Sequence, residues 1–324
     1  MKMNKGVLLI FSLVILMTLG ACDESTGTSS GEVFTIGASQ FVEHPSLDAA
    51  YEGFQAALDD SDLNVEFELR NAQGDQSNVN TIAQNFVADD VDLIFANATP
   101  SALGALQATR DLPIVFTSVT DAIEAGLAES LDEADRNITG VLDMHPDAIT
   151  ETINFIEQYF PDSRVGVIYN AGEQNSVIQV NHVNEAVQDT SLTVIERTVS
   201  TSAEVQQATT SLVGEVDVIY IVTDNTVVSA LETVVAVANE QDLPLIVGEP
   251  DSLERGGFAT FGIDYYTIGY RSGEMAVEIL SGESNPGDIS IEYPPEIELF
   301  INKEAAEAQG IEWNNEWDDI ADVW

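Results

Sequence analysis

Short polar segments that carry hydroxyl, amide and carboxylate groups directly follow apolar runs of the chain. The segment NATPS at residues 97–101 follows the apolar run Val91–Ala96, and TSVTD at residues 117–121 follows Pro113–Phe116. Each run is too brief for a helix and has the composition of a buried parallel strand. Open α/β sheets bind ligands just past the carboxyl ends of their strands, so these segments predict one wall of a ligand site. The candidate ligand-binding residues in these segments are Thr99, Thr117 and Ser118.

The second half of the chain has the same arrangement of apolar runs and polar segments. Three polar segments follow apolar runs there: NAGEQNS at residues 170–176, TDNT at residues 223–226 and EPD at residues 249–251. These segments are expected to face the polar segments of the first half across a cleft. Their candidate ligand-binding residues are Asn170, Glu173, Asn175, Ser176, Asp224, Asn225 and Glu249, with Tyr169 at the end of the preceding strand.

Two further loops are candidates for the same site. The loop after the predicted strand Val33–Ala38 offers Gln40 for a polar contact, Phe41 for an apolar face and, at Ser46, a helix start that suits an anion. The segment GIDYY at residues 262–266 adds Asp264 and Tyr265. For the polar residues at helix starts the alternative, left open by the sequence, is that they are helix caps. For the aromatic candidates the alternative is that they pack in the core.

Alternating strands and helices must position these polar segments. Val79, Ile82, Ala83 and Phe86 recur at i, i+3, i+4 and i+7, so one face of a helix is apolar and can lie on a sheet. Strands that alternate with such helices are typical of a parallel α/β sheet. A second series of strands and helices begins at Val165–Tyr169. The chain is therefore expected to form two doubly wound α/β lobes.

The chain is expected to cross between the lobes three times, which makes a hinge. The first crossing lies near Asp143–Pro146, the second at Ala259–Asp264, and the third precedes the strand Ile297–Ile301. The predicted first lobe comprises residues 32–143 and 262–290. The predicted second lobe comprises residues 144–261 and 291–324.

The beginning of the chain has the pattern of a lipoprotein signal peptide. Two lysines precede the apolar run Val7–Leu19, which ends in the sequence LGAC at Cys22. This pattern predicts that residues 1–22 are a signal peptide with a lipobox, and that Cys22 carries lipid. The alternatives are an ordinary signal peptide with a chance cysteine, and an uncleaved helix. The polar residues 23–31 predict a flexible tether, so the mature protein is expected outside the cytoplasmic membrane on a lipid anchor.

The composition excludes several classes of protein. The chain has 56 acidic residues against 10 basic ones, which excludes nucleic-acid binding by phosphate neutralisation. Its 44% hydrophobic residues indicate a folded protein and not an acidic disordered one. The excess of acid predicts adaptation to a saline or alkaline exterior, where ions screen the repulsion among like charges.

Catalytic and metal-binding motifs are absent from the sequence. It contains no GxSxG, P-loop, GxGxxG or HExxH pattern. His44, His145 and His182 are scattered without metal-ligand spacing and are interpreted as loop or surface residues. The single cysteine, Cys22, is assigned to lipid, which leaves none for catalysis or a disulfide. The sequence therefore predicts no enzyme activity, no catalytic residue, no metal site and no cofactor.

The segment Asn71–Asp121, together with TDNT at residues 223–226 and GIDYY at residues 262–266, resembles the substrate-binding lipoproteins of the tryptophan/tyrosine-type ABC importers. The resemblance extends over essentially the whole chain. It implies a type I periplasmic-binding-protein fold whose two lobes close around a free amino acid, usually aromatic. It also implies the ABC permease and its ATPase as partners. A sensor that binds another small solute and docks on a receptor is the alternative function.

An amino acid ligand, as the resemblance implies, assigns roles to the candidate residues. Its ammonium needs an acidic group, and its carboxylate needs neutral donors. The candidates for the ammonium are Asp224 and Asp264, with Glu173 and Glu249 in reserve. The candidates for the carboxylate are Thr99, Thr117, Ser118, Asn170, Asn175 and Ser176. Phe41, Tyr169 and Tyr265 are candidates to stack on an aromatic side chain. The many loop carboxylates also leave room for a more cationic ligand.

Overall fold

The computed structural model describes residues 33–132, 136–294 and 296–324. The predicted signal peptide, Cys22 and the tether of residues 23–31 lie outside the described residues, so these predictions are not tested. Within the described ranges, the longest and most apolar helices still fall short of what a membrane span requires.

The first lobe is built on a sheet of five parallel strands, in the order β2-β1-β3-β4-β5. The strands are β1 (Val33–Gln40), β2 (Asn64–Asn71), β3 (Leu93–Asn97), β4 (Ile114–Val119) and β5 (Ile138–Leu142). Because every neighbouring pair is parallel, the carboxyl ends of all five strands lie at one edge of the sheet. The polar segments after β3 and β4 therefore meet at this edge, as predicted.

Helices connect these strands and cover both faces of the first sheet. They are α1 (Pro45–Asp59), α2 (Gln76–Ala88) and α3 (Thr99–Ala108). The predicted apolar face of α2 is confirmed, since Val79, Ile82, Ala83 and Phe86 are all buried. Asp75 caps the start of α2, where its side chain accepts a hydrogen bond from the backbone N–H of Ser77.

The second lobe is built on a sheet of seven strands, in the order β12-β11-β10-β9-β8-β6-β7. Its strands are β6 (Arg164–Asn170), β7 (Thr193–Val199), β8 (Val218–Ile221), β9 (Leu245–Val247), β10 (Ala259–Gly262), β11 (Glu298–Ile301) and β12 (Asp322–Val323). The helices that follow β5 in the chain are α4 (Ala148–Tyr159), α5 (Gln174–Ala186), α6 (Val205–Thr210), α7 (Asn225–Val228), α8 (Leu231–Glu240), α9 (Asp251–Glu254), α10 (Tyr265–Leu280), α11 (Lys303–Ala308) and α12 (Trp317–Ile320).

The second sheet departs from the expected parallel arrangement at one strand pair. Strand β11 runs antiparallel to β10, whereas the other pairs in this sheet are parallel. The physical reason is the route of the chain, because β11 enters the second lobe from the first lobe and not through a helix of its own lobe. The prediction of two α/β lobes is otherwise confirmed.

The chain passes between the lobes three times, as expected. It leaves the first sheet after β5 and returns after β10, and α10 then packs along α1 and against β4 and β5. It crosses a third time before β11, after Glu292 has formed a bridge with Val141 of β5. The boundaries assigned to the lobes from the sequence remain a prediction.

The close contact between α1 and α10 depends on glycine. A Cβ atom on Gly269 would lie 1.9 Å from the backbone oxygen of Ala50, and one on Gly53 would lie 2.1 Å from that of Tyr266. Only residues without a side chain allow the two backbones to approach this closely. This contact holds the start of α10, with Tyr265, against the first lobe.

Candidate ligand-binding cleft

A narrow cleft between the two lobes brings together several of the buried polar groups that follow the strands. Its lining residues are His44, Leu47, Ser118, Thr120, Asp143, Asn175, Thr223, Asp224, Asn225, Val228, Glu249 and Tyr265. Six of these residues were predicted from the sequence, namely Ser118, Asn175, Asp224, Asn225, Glu249 and Tyr265. The walls leave little free volume, so a ligand can enter only when the lobes separate.

Two residues at the ends of first-lobe strands have an unusual backbone conformation, and one of them, Ser118, lines the cleft. Ser118, near the end of β4, has φ +57°, and Ala98, just after β3, has φ +95°. Residues other than glycine rarely adopt such conformations, and structures that hold them commonly do so at ligand sites. The hydroxyl of Ser118 is shielded from solvent and has no hydrogen-bond partner in the described part of the chain. It is therefore available to a ligand.

Asp224 is fully buried, and the backbone of its own lobe occupies both of its carboxylate oxygens. Oδ1 accepts a hydrogen bond of 2.7 Å from the N–H of Val227, which caps α7, and Oδ2 accepts one of 2.6 Å from the N–H of Asn170. Burial, together with the neighbouring carboxylate of Glu173, raises the pKa of Asp224 well above its usual range. Its main contacts thus join β6 to α7.

Glu249 is likewise committed within the second lobe. Its carboxylate accepts hydrogen bonds from the backbone N–H of Ser252, at 2.9 Å, and from the hydroxyl of the same residue. Burial raises the pKa of Glu249 to about 7. A carboxyl group with such a pKa is protonated in a substantial fraction of the molecules at neutral pH.

Asp143 differs from the other two cleft carboxylates because one of its oxygens is free. Oδ2 accepts a hydrogen bond of 2.8 Å from the hydroxyl of Tyr265. Oδ1 is shielded from solvent and has no partner among the described residues. Burial raises the pKa of Asp143 to about 6, so the carboxylate is the main form at pH 7. The first and second crossings of the hinge supply this pair, since Asp143 follows β5 and Tyr265 begins α10.

His44 lies in the loop before α1, as interpreted, but it is buried in the cleft wall, with 7% of its surface exposed, and is not a surface residue. Its Nε2 lies 3.3 Å from Oδ1 of Asn225 in the opposite lobe. The sequence could not predict this burial, because the contact joins residues 181 positions apart and no residue near position 44 indicates it. His145 and His182 are partly exposed, as expected.

Glu173 lies behind the second-lobe wall and supports the start of α7. Its carboxylate accepts hydrogen bonds from the backbone and side-chain amides of Asn225, and from the N–H and hydroxyl of Thr226. The helix start thus has its orphan N–H groups satisfied by a carboxylate. Glu173 therefore positions Asn225 and is not itself in the lining of the cleft.

The other predicted site residues lie outside the lining of the cleft. In the first lobe, Gln40 donates a hydrogen bond to Asp48, and Phe41 packs in the core. Thr99 accepts a hydrogen bond from the N–H of Thr120. Ser46 and Thr117 are buried, and their hydroxyls have no partner in the described ranges. Among second-lobe residues, Asn170 binds Asp224 and Thr226, Ser176 is buried beside Asn175, and Tyr169 binds Glu196.

Asp264 is also outside the lining, on an exposed position. Its side chain caps α10 and accepts hydrogen bonds from the N–H and the hydroxyl of Thr267. This is the cap interpretation that the sequence left open. Asp264 consequently has local partners and no contact with the cleft.

The sequence did not indicate six lining residues: His44, Leu47, Thr120, Asp143, Thr223 and Val228. Thr120 and Thr223 belong to polar segments that the sequence singled out, so the position after a strand was a usable signal. Asp143 stands at the first predicted crossing, where an acidic residue next to the hinge was a further signal. Leu47 and Val228 are apolar residues in helices, and nothing in their local sequence separates them from core residues.

Direct contacts between the lobes surround the cleft, most of them from α5. Gln174 donates a hydrogen bond of 2.9 Å from Nε2 to the backbone oxygen of Glu124, and Gln179 donates one of 3.4 Å to the hydroxyl of Thr120. His182 lies 3.4 Å from the carboxylate of Glu124. These contacts require that the lobes be close together. The described residues contain no cluster of His, Cys, Asp and Glu that could hold a metal ion.

Comparisons with known proteins agree with this architecture. Residues 35–322 match the family described as ABC transporter substrate binding protein. The chain is 43% identical to a tyrosine-binding protein of Clostridioides difficile (strain R20291), over 89% of this chain and 84% of that protein. It also resembles the structure of an ABC domain in complex with L-Trp from Streptococcus pneumonia, with a TM-score of 0.85 and 32% identity, over 90% of this chain and 100% of that one.

A second solved structure indicates which arrangement of the lobes this chain adopts. The ligand-free, open structure of a substrate binding protein from Clostridium difficile is 36% identical and covers 90% of this chain and 99% of its own, but its TM-score is only 0.65. Similar identity with a lower structural similarity indicates that the lobes here are arranged as in the L-Trp complex and not as in the open structure. The chain, with its two α/β lobes closed over a polar cleft, belongs to the family of ABC transporter substrate binding proteins, whose members bind a solute outside the cytoplasm and are not enzymes.

Proposed function

We propose that this protein is a lipid-anchored solute-binding protein of an ABC importer, which binds a free aromatic amino acid in the cleft and delivers it to the permease. The similar proteins support this ligand class, since one is a tyrosine-binding protein and another was solved with L-Trp. The predicted lipid on Cys22 keeps the protein at the outer face of the membrane, next to the transporter.

The observation that carries the proposal is the free oxygen of Asp143. An ammonium group is a donor with positive charge, and its best partner is an ionised carboxylate that has an unused lone pair. Asp143 offers such an oxygen in the cleft, whereas Asp224 and Glu249 already accept hydrogen bonds from their own lobe. The hydroxyl of Tyr265 holds the carboxylate of Asp143 in place.

The carboxylate of the ligand binds to neutral donors, because the cleft lining formed by the described residues contains no lysine or arginine. The hydroxyl of Ser118 is free and the side chain of Asn175 lies in the opposite wall. The ring of the ligand packs against Leu47 and Val228, which are the apolar lining residues, and against Tyr265. The ligand thus touches both lobes and the hinge, so it stabilises the closed arrangement over the open one.

Calorimetric titration of residues 32–324, the part of the chain that holds both lobes, against the free amino acids tests the proposal. We expect an aromatic amino acid to bind tightly to the wild type. The Asp143→Asn variant removes the charge from the ammonium partner and is expected to weaken binding about 10- to 100-fold.

Asp264→Asn is the matched control, because Asp264 is an aspartate at the hinge that lies outside the cleft lining. It is expected to bind as the wild type does. Wild-type affinity in Asp143→Asn would refute the assignment of the ammonium site. If no amino acid bound to the wild type, the proposed ligand class would be wrong.

A further inference from the structure

His44 occupies the N-cap position of α1 but does not cap the helix. Its backbone is extended, with φ −160°, and its side chain makes no hydrogen bond to the first turn. The ring lies instead in the cleft wall and is 93% buried, since only 7% of its surface is exposed. Buried polar side chains are normally hydrogen-bonded. Because His44 has no hydrogen bond to its own helix, its partners must lie elsewhere in the cleft.

The neighbours of His44 determine which ring nitrogen carries the hydrogen. Each oxygen of Glu173 accepts a hydrogen bond from a backbone N–H group, of Asn225 or Thr226, so Oε2 also faces the amide nitrogen of Asn225 as an acceptor, at 2.6 Å. This orients the side chain of Asn225 so that its oxygen, Oδ1, faces Nε2 of His44. An amide oxygen can only accept, and therefore Nε2 of His44 is the donor.

The other ring nitrogen, Nδ1, is left as a bare acceptor. Burial lowers the pKa of His44 to about 4, so the ring is neutral at pH 7 and carries a single hydrogen, which is on Nε2. Nδ1 is shielded from solvent and has no partner in the described part of the chain. Such a buried acceptor costs free energy until a donor reaches it.

The chemistry of an aromatic amino acid leaves one group that fits this acceptor. The ammonium has a stronger partner in the ionised carboxylate of Asp143. The carboxylate of the ligand presents only lone pairs and is repelled by the lone pair of Nδ1. The remaining donor is on the ring of the ligand, either the phenol O–H of tyrosine or the indole N–H of tryptophan.

We infer that His44 is a specificity-determining residue, whose Nδ1 accepts a hydrogen bond from the ring of the ligand and so selects tyrosine or tryptophan over phenylalanine. This inference rests on the proposed function, since it needs an aromatic amino acid in the cleft. Phenylalanine has no ring donor and would leave Nδ1 buried and unpaired. Sites built to bind a hydroxyl or N–H reject the analogue that lacks it for this reason.

Titration of the full chain with L-tyrosine, L-tryptophan and L-phenylalanine provides the test. We expect the wild type to bind the better of the first two ligands roughly 10- to 100-fold more tightly than phenylalanine. The His44→Leu variant removes the acceptor, so the preferred ligand should lose most of this advantage while phenylalanine binds about as before. The ratio of the two affinities then falls to near one.

Three further variants separate specificity from folding. His44→Asn places an amide oxygen near the position of Nδ1 and is expected to retain part of the ratio, even if His44→Leu fails to fold. His145→Leu, a histidine outside the cleft lining, should retain the wild-type ratio. Asp143→Asn should weaken all three ligands by the same factor and leave the ratio intact.

Two results would overturn the inference while the proposed function stands: equal affinity of the wild type for phenylalanine and the preferred ligand, or an unchanged ratio in His44→Leu. Failure of all three ligands to bind to the wild type would instead refute the proposed function, and the inference with it.

Discussion

At the scale of single residues, the three carboxylates of the cleft differ in what already binds them. Asp224 and Glu249 accept hydrogen bonds from backbone N–H groups of the second lobe, whereas Asp143 retains a free oxygen beside Tyr265. The residue types alone do not distinguish these three acids. Their roles separate only when each oxygen is assigned its partner: two hold the second lobe together, and one is open to a ligand.

Glu249 leads to a prediction on stability and pH. Its pKa is about 7 in the folded protein because of burial, against an ordinary value of 4.5. Between these values the unfolded chain has lost the proton while the folded chain keeps it, so the free energy of unfolding falls as the pH rises from 4.5 to 7. It then changes little above pH 7.

Glu249→Gln should remove this contribution, because glutamine is neutral at every pH. Urea unfolding at pH 5 is expected to give similar stabilities for variant and wild type. At pH 8 the variant should be more stable, by on the order of 2 kcal/mol. No gain at pH 8 would mean that the carboxylate of Glu249 ionises in the folded protein without cost.

At the scale of elements, the contact between α1 and α10 connects the hinge to the site. Gly269 and Gly273 of α10 face Ala50, Phe54 and Ala57 of α1, at distances that no side chain could occupy without a shift. The same helix begins with Tyr265, which holds Asp143. Displacement of α10 would therefore move the partner of the proposed ammonium site.

Gly269→Ala is expected to destabilise the protein by about 3 kcal/mol and to weaken ligand binding, because its Cβ would lie 1.9 Å from the backbone oxygen of Ala50. Gly282→Ala is the control, since it has φ +77° and no atom near its Cβ position, so it costs only about 1 kcal/mol. Chemical denaturation and titration together check both effects. Equal losses for the two variants would contradict the role assigned to helix packing.

At the scale of the whole molecule, the formal net charge of −46 is the dominant feature. Most of the ion pairs that the structure describes lie on partly exposed side chains, and there are few basic residues to form them. The like charges therefore repel one another across the surface, and salt screens this repulsion. Such a balance is consistent with the proposed adaptation to a saline or alkaline exterior.

The melting temperature is accordingly expected to rise clearly with ionic strength, from low salt to molar sodium chloride. Repulsion among carboxylates raises the free energy of the compact state more than that of the expanded chain, and screening reduces this difference. Thermal unfolding at a series of salt concentrations measures the effect. A melting temperature that does not change over this range would count against the adaptation.

Local patterns were enough to predict the architecture. The apolar face of α2 and the polar segments after β3, β4, β6 and β8 follow from residue types a few positions apart, and the structure has them where they were expected. The two-lobed α/β arrangement could be predicted for the same reason. Helix α4, by contrast, was not identified, although Ile149, Ile153 and Ile156 form its buried face.

The roles of the residues inside the cleft could be assigned only from the tertiary structure, because they depend on contacts between distant positions of the chain. His44 meets Asn225 across 181 positions, and Tyr265 meets Asp143 across 122. The antiparallel direction of β11 likewise follows from the path through the hinge and not from its own residues. Whether a buried polar atom is already paired is decided by the complete set of its neighbours in space. The short-range spacing of apolar residues therefore determined the fold. Only the tertiary structure showed that atoms of His44, Ser118 and Asp143 are buried and unpaired, because that depends on neighbours from distant parts of the chain.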